Sequence, residues 1–579
     1  MRRRTPYLAT SLVGVLLVAR FLALASGDLP WSFWTMPAII WHDVAVGLAF
    51  WAIDAAVRRP RWMWAPYGAL AGYVALNVPV AWVLSSPLTV PMWRAAGGPL
   101  ADSIAYYVSA SSLAAMAAVG LAAAVLPAAL RRLGAGTRLA LSAAIIAIAA
   151  PGPLAAGRVD TRGLHRNAVT AVLGTITPRI AARYEEADWR ASPVRDGAGE
   201  DLSALRGAAA GRNVVLVVLE STAAEYLAFH GASDDPMPHL TAMAGDAVVF
   251  ESAYTAYPES IKNLFALLCA RAPAFDVPAE RHAAAGCRSL PTQVAEAGYR
   301  TALFHSGRFA YLGMQAVVDR QGFHTAEDAG AIGGNVQSSF GVDEPATVAR
   351  MIAWIDRLES GRRFFMTYLP AAGHHPYASP EPGPFEGPTE FAAYKNALFD
   401  ADRALGAFIR ALRERGMLER TLFVFLGDHG EAFGQHPGNL GHSLFLYEEN
   451  VRVPLVIAAP GAPVSPTRVA RVASAVDVAP TILDLLGLAV SPAHDGVSLL
   501  LPRERMALFH TDYAVGWLGL RDRCWKAIVQ VETRRTELYD VCRDPHETTD
   551  VSGDNGDLAA AYRDRLERWA AATRASYLK

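Results

Sequence analysis

Leu422-Phe-Val-Phe-Leu-Gly-Asp-His-Gly-Glu431 is the stretch that decides the fold. Five apolar residues in a row, without alternation, describe a short strand buried on both faces, as in a parallel sheet covered by helices. In such sheets the ligand lies beyond the carboxyl ends of the strands, which is where Asp428 and His429 stand. Gly427 and Gly430 flank them and permit a tight turn that aims both side chains one way. A second apolar run, Asn213-Val-Val-Leu-Val-Val-Leu219, ends in the same manner at Glu220. Two carboxylates and an imidazole on strand ends suit one divalent cation, zinc or manganese. Further strands are expected at Ala247–Phe250, Thr301–Phe304, Phe364–Tyr368 and Leu455–Ala458, alternating with helical patterns in an α/β domain with a mostly parallel sheet.

Toward the amino terminus the composition changes. The whole chain of 579 residues is 52% hydrophobic and 19% charged, and the excess is concentrated before residue 157. The apolar runs Tyr7–Ser26, Met36–Val57, Trp62–Leu84, Ile104–Leu130 and Leu139–Ala156 each approach the ~20 residues that span a bilayer as a helix. Four runs after the first make an uncleaved helix a better reading of the start than a signal peptide. Arg2, Arg3, Arg4, Arg58, Arg59, Arg61, Arg131, Arg132 and Arg138 occupy alternate loops, against Arg94 alone in the others. Cytoplasmic loops retain basic residues, so the amino terminus is expected inside and everything after residue 157 outside, periplasmic or extracellular on a multi-pass inner-membrane protein. Arg20 and Asp43 lie at similar depth in the first two spans, as a structural ion pair or as a contact for a lipid headgroup.

Residues 157–210 read as a juxtamembrane connector, with an amphipathic piece at Asn167–Ile176. The catalytic domain is expected at 211–500 and a carboxyl-terminal subdomain at 501–579. Cys269, Cys287, Cys524 and Cys542 all fall on the external side, in keeping with disulfides, and close spacing favours Cys269–Cys287 and Cys524–Cys542 among three connectivities. A formal net charge of -2 provides no basic field for nucleic acid.

The order of several blocks resembles the alkaline phosphatase and sulfatase superfamily. These are Pro238-His239-Leu240, Val248–Tyr254, Gly427–Glu431 leading to Tyr447-Glu448 and Arg452–Leu455, Val476–Gly487 with Asp495–Leu499, and Glu537–Asp540 with Asp544-Pro545. Joined to five apolar spans, the pattern is similar to lipoteichoic acid synthases and phosphoethanolamine transferases. The resemblance implies a nucleophile on the turn after the strand ending near Phe250, and aligning Leu267-Leu268 places Ser260 there. The Cys-x-Pro-Ser-Arg context of formylglycine sulfatases is missing, so an unmodified serine is expected, and the same serine would cap its helix. Ser260 would thus join Glu220, Asp428 and His429 on the metal.

By the same resemblance His374, in His374-His375-Pro376-Tyr377, and His442, in Gly441-His442, would serve catalysis, with His375 or His436 as alternates. His305 would bind substrate, while Lys262 and Arg308 would clamp its negative group. The function implied is transfer of a phosphoglycerol or phosphoethanolamine headgroup from a membrane lipid to a cell-envelope glycan or lipid acceptor through phosphoserine. A membrane-tethered sulfuric or phosphoric ester hydrolase is the second reading, and an inactive binding or sensory protein the third. On the topology, reporter enzymes that work only outside the cytoplasm should be active when fused after Gly157; activity of cytoplasmic reporters there would reverse the assignment.

Overall fold

The computed structural model describes the chain except residues 1–6, 26–28, 30, 58–59, 97–100, 184–188, 195–198, 339, 463 and 579, and gives the backbone only at 60, 95 and 101–103. Arg2, Arg3, Arg4, Arg58 and Arg59 lie outside the described residues. Five apolar helices form the amino-terminal part: α1 (Tyr7–Leu24), α2 (Thr35–Ala56), α3 (Trp64–Leu84), α4 (Ala110–Arg132) and α5 (Ala135–Ala149). With a short turn of helix before α3 and the Gly152–Ala156 helix after α5, all five are long and apolar enough to cross a membrane. Leu12, Val15 and Leu16 of α1 are packed inside the bundle, whereas Leu121 of α4 and Leu139 of α5 are about two-thirds exposed or more. Helices that stay apolar on their outer face suit a lipid surround rather than water.

Two span boundaries differ from the sequence reading. The fourth helix begins at Ala110 instead of Ile104, because Ala101–Tyr106 forms its own short helix and Ser109 then caps α4 by accepting from Ser112 N. The fifth begins earlier, at Ala135, and is interrupted at Ala150-Pro151, since proline cannot continue the hydrogen-bond ladder.

Arg20 and Asp43 pair at 2.8 Å and are 7% and 1% exposed. The Arg20 guanidinium also donates to Leu164 O, and Asn167 Nδ2 donates to Asp43. Of the two readings of this pair, the closed structural one holds: a buried network joins α1 and α2 to the segment that follows the apolar helices. That segment carries a helix of its own. Helix α6 (Ala168–Ile176) is capped by Asn167 with Thr170 completing the capping box, and Arg166 and Arg179 both donate to Ala514 O of the carboxyl-terminal region.

The central sheet contains β1 (Asn213–Leu219), β2 (Val248–Tyr254), β3 (Arg300–His305), β4 (Thr325–Glu327), β5 (Phe364–Leu369), β6 (Thr421–Gly427), β7 (Arg452–Ala458) and β8 (Thr467–Ser474). Their spatial order is β8-β2-β7-β6-β1-β5-β3-β4, and only β7 runs antiparallel to its neighbours. Val214, Leu216, Val218, Leu422, Val424 and Leu426 pack on one face, and Val215, Val217, Leu219, Phe423 and Phe425 on the other. Burial on both faces is why these strands show no polar alternation. The expected strand Ala247–Phe250 extends to Tyr254, and β4 and β8 were not anticipated.

A four-stranded antiparallel sheet follows, β9 (Ala507–Thr511), β10 (Trp517–Asp522), β11 (Trp525–Gln530) and β12 (Thr536–Asp540). Leu566 and Trp569 of the final helix (Gly556–Ser576) pack against it in one cluster with Leu518 and Leu538. Disulfides join Cys269 to Cys287 and Cys524 to Cys542, each across a sequence separation of 18. Non-reducing peptide mapping should recover these two bridges. Removing either should lower unfolding stability by about 3 kcal/mol in the chain-entropy description.

Candidate active site

Strands β1 and β6 are neighbours in parallel register, Leu219 opposite Gly427, so Glu220 and Asp428 leave the sheet side by side. Both are buried. Asp428 Oδ1 accepts from Ser221 N (2.9 Å) and His429 N (2.7 Å). Ser221 holds that position with φ of 53°, an unusual conformation for a residue with a side chain. Glycine is required on either side of the pair: a Cβ on Gly427 would lie 2.4 Å from Thr222 O, and one on Gly430 2.0 Å from Glu449 O.

Helix α7 (Ser260–Cys269) brings the hydroxyl. Its cap is Glu259, whose carboxylate accepts from Ile261 N and Lys262 N. This corrects the expectation that Ser260 caps the helix, and it leaves the Ser260 hydroxyl free for the site. Ser260 Oγ donates to Glu220 Oε2 (3.1 Å) and lies 3.3 Å from His429 Nε2. Asn263, one turn on, donates to Asp428 O (2.7 Å) and fixes the helix against the strand end.

The donors of Glu220, Asp428 and His429 fall within 4.8 Å of one another. His429 Nδ1 pairs with Gly430 O at 3.0 Å, which leaves the Nε2 lone pair facing the carboxylates, 3.4 Å from Asp428 and 3.7 Å from Glu220. Burial and the neighbouring Asp428 push Glu220 well above the usual carboxylate range, and burial pushes Asp428 up to about 7. Among the described residues neither carboxylate has a Lys or Arg partner. Two buried carboxylates, an outward imidazole lone pair and a hydroxyl fit a divalent cation of the zinc or manganese type.

A second layer surrounds this set. His429 stacks on His442, ring centroids 4.1 Å apart, and His442 Nδ1 pairs with Glu431 Oε2 at 2.7 Å. Tyr377 OH donates to the other Glu431 oxygen. Burial alone would lower His442, but the Glu431 carboxylate outweighs it and holds the imidazole above its ordinary value. His374 lies 6.4 Å from His442, stacked on Phe340 at 3.8 Å, and burial and His442 lower it to about 4. His305, at the end of β3, has Nδ1 paired with Leu369 O and is lowered by burial to about 4.

The expected residues are thus not equally placed. Glu220, Ser260, Asp428, His429, His442 and His374 converge. Lys262 does not serve as a free clamp: its ammonium is held by both oxygens of Asp512, at 2.8 and 2.9 Å, 250 residues away. Arg308, half-buried, makes no salt bridge with a described residue. His436 is engaged by Glu449 at 2.7 Å. Glu431, Tyr377 and Glu259 were missed, although Glu431 stands inside the decisive stretch, three residues after Asp428.

Such a site, a metal-type ligand set with a hydroxyl beside it at the carboxyl edge of a mostly parallel sheet, has the donor groups that metal-assisted group transfer requires. Residues 212–488 match the sulfatase family model, and residues 441–571 match that of the N-sulphoglucosamine sulphohydrolase carboxyl-terminal domain. Residues 212–488 thus form a sulfatase-type domain, on a fold like that of the alkaline phosphatases. It is 31% identical to Arylsulfatase K of Xenopus laevis over 183 residues, 28% of this chain and 33% of that protein, so the match spans about a third of that curated relative. Among solved structures, an alkaline phosphatase superfamily protein from Vibrio parahaemolyticus superposes with a TM-score of 0.54 at 19% identity, covering 63% of this chain and 87% of that one. The lipoteichoic acid synthase LtaP from Listeria monocytogenes gives 0.52 at 17%, covering 64% and 94%. At these identities the likeness is one of fold. If the ligand set is as described, Asp428→Asn should abolish stoichiometric zinc or manganese by elemental analysis, while Ser260→Ala, which leaves three ligands, should retain most of it.

Proposed function

We propose that the protein is a membrane-anchored, externally facing enzyme that transfers a phospho-headgroup from a lipid to a cell-envelope acceptor through phosphoserine at Ser260. One observation supports this over a soluble substrate: both ends of the segment between α3 and α4 touch the rim of the site. Ser85, the residue after α3, donates its hydroxyl to Gly438 O, in the loop that carries His442. At the other end, Tyr107 stacks on His375 at 5.3 Å and Tyr106 meets the same ring edge-on at 5.2 Å. Tyr107 precedes Ala110, the first residue of α4, by three positions, a chain reach of at most about 10 Å. The rim therefore stands within reach of the ends of two helices fit to span a bilayer, where a lipid headgroup resides.

Glu220, Asp428, His429 and Ser260 would hold the cation, which when bound supplies Lewis acidity toward the transferring group and eases ionisation of a bound hydroxyl. Ser260 Oγ, its proton directed at Glu220, attacks phosphorus in line; the Oγ–P bond forms as the bond to the diacylglycerol oxygen breaks. His442, oriented by Glu431, is placed to give a proton to the leaving oxygen. His374 Nδ1 pairs with His375 O at 2.7 Å, leaving Nε2 to take the proton of the acceptor hydroxyl.

A second reading, hydrolysis of a sulfate or phosphate ester, draws on the sulfatase family matches at both the core and the carboxyl-terminal region. The full-length protein in vesicles containing headgroup-labelled phosphatidylglycerol or phosphatidylethanolamine should label covalently and release diacylglycerol. Ser260→Ala should remove the label and cut turnover by several orders of magnitude. Cleavage of 4-nitrophenyl sulfate with neither lipid touched would favour the hydrolase instead.

A further inference from the structure

A cavity of about 520 Å³ is walled by His374 and Phe340, by Gln337, Ser338 and Gly341–Asp343, and by the facing sides of the helices Glu344–Ile355 and Glu390–Glu414. This volume is in the range of small-ligand sites. It shares one residue with the candidate catalytic set, His374, and none with the metal ligands.

The direction in which the cavity extends is informative. Glu390, the first residue of its helix, stands beside Tyr106, and its carboxylate holds that phenol above the ordinary tyrosine range, so that end of the helix adjoins the segment leading into α4. The cavity uses Asp400, Arg403, Ala407 and Arg410 of the same helix, ten to twenty residues on, which at 1.5 Å per residue is roughly 15–30 Å along the axis. It thus leads away from the contact through which the apolar helices reach the site.

Its walls combine aliphatic patches with charges of both signs: Val348 and Ala404 are buried side chains of the two helices, Asp400 lies 3.8 Å from Arg403, and Asp343 and Arg410 add a further charge of each sign. A diacyl tail calls for unbroken apolar surface, and a strongly charged ligand for charge of one sign. A neutral polyhydroxylated ring, with apolar C–H faces and a rim of hydroxyls, matches both kinds of lining.

We propose that this cavity is the acceptor subsite and that its occupant is a neutral sugar or polyol; the assignment rests on the phosphotransfer reading above. An acceptor seated there presents a hydroxyl past His374 toward Ser260. The acceptor O–P bond forms as the Ser260 Oγ–P bond breaks, and the proton leaving the acceptor hydroxyl for His374 Nε2 is balanced by the proton that returns to Ser260 Oγ.

The test uses full-length protein in vesicles with headgroup-labelled phosphatidylglycerol as donor and methyl α-D-glucoside as acceptor probe. Ala407→Trp and Ala349→Trp fill the cavity from opposite walls at positions outside the catalytic set. Each should leave covalent labelling of Ser260 within twofold of wild type. Glucoside binding, followed by saturation-transfer NMR, and transfer to the glucoside should both fall at least tenfold, with the labelled enzyme accumulating. Unchanged binding and transfer in both variants, with Ser260 still labelled, would overturn the cavity assignment alone. Loss of labelling in parallel with transfer, in variants whose near-UV circular dichroism is native, would assign the cavity to the donor. A wild type that never labels Ser260 would overturn the phosphotransfer reading, and the acceptor role with it.

Discussion

Two carboxylates that must leave adjacent strands side by side, Glu220 from β1 and Asp428 from β6, set the terms for the rest of the molecule. Their proximity follows from the register that puts Leu219 opposite Gly427, and a slip by one residue would turn one of the two onto the other face. Held together away from water, they repel, and each carries a desolvation penalty. Several features of the surroundings lower that penalty: backbone N–H groups of Ser221 and His429 on Asp428, and the hydroxyls of Ser221 and Ser260 on Glu220. Ser221 adopts a left-handed backbone to offer its N–H, and strain of this kind is tolerated where the fold around it leaves no alternative. The site is thus built to receive positive charge, and its hydroxyl is positioned by the same contacts.

The second constraint is the close approach of the apolar helices to this centre. Arg20, Asp43 and Asn167 join α1 and α2 to the exit segment, Ser85 bonds the loop before His442, and Thr89 donates to Tyr513 O. Leu88 and Met92 share a buried cluster with Phe445, Leu446 and Trp517. Contacts distributed over the apolar bundle, the segment after α3 and the exit segment restrain the catalytic part against the bundle far more than a single flexible connector would. Arg166, Asn167 and Arg179 of the exit segment therefore work as packing contacts between the two parts.

What could be read in the sequence was what local chemistry encodes. Unbroken apolar runs followed at once by Glu220 or by Asp428-His429 disclosed both strands and ligands, because strand direction and ligand position are fixed by neighbours in the chain. Long-range partners were not legible. Lys262 looks like a free cation until Asp512 comes to it from β9's far end, and His375 gives no sign that Tyr106 and Tyr107 will cover it from the segment ahead of α4. Strand β8 escaped notice because Arg468 and Arg471 interrupt its apolar pattern on the sheet's edge. Ser260 was correctly located but its expected capping role fell to Glu259, since only the backbone path determines which of two adjacent side chains reaches the free N–H groups.

The choice between transfer and hydrolysis turns on what surrounds Ser260 once it is esterified, more than on the ligand set, which serves both. Water is present at far higher concentration than any acceptor, so a transferase must keep the ester shielded and hold the acceptor where its hydroxyl reacts first. The second layer has the composition for this: Phe340 lies flat on His374, Tyr107 on His375, and Tyr377 closes over Glu431, each putting an aromatic surface beside a polar group of the site. Two of these aromatics come from the catalytic domain and one from the segment ahead of α4. Water needs no such wall to reach an ester, so the stacking of Tyr107 on His375 matters most for an acceptor that must compete with it.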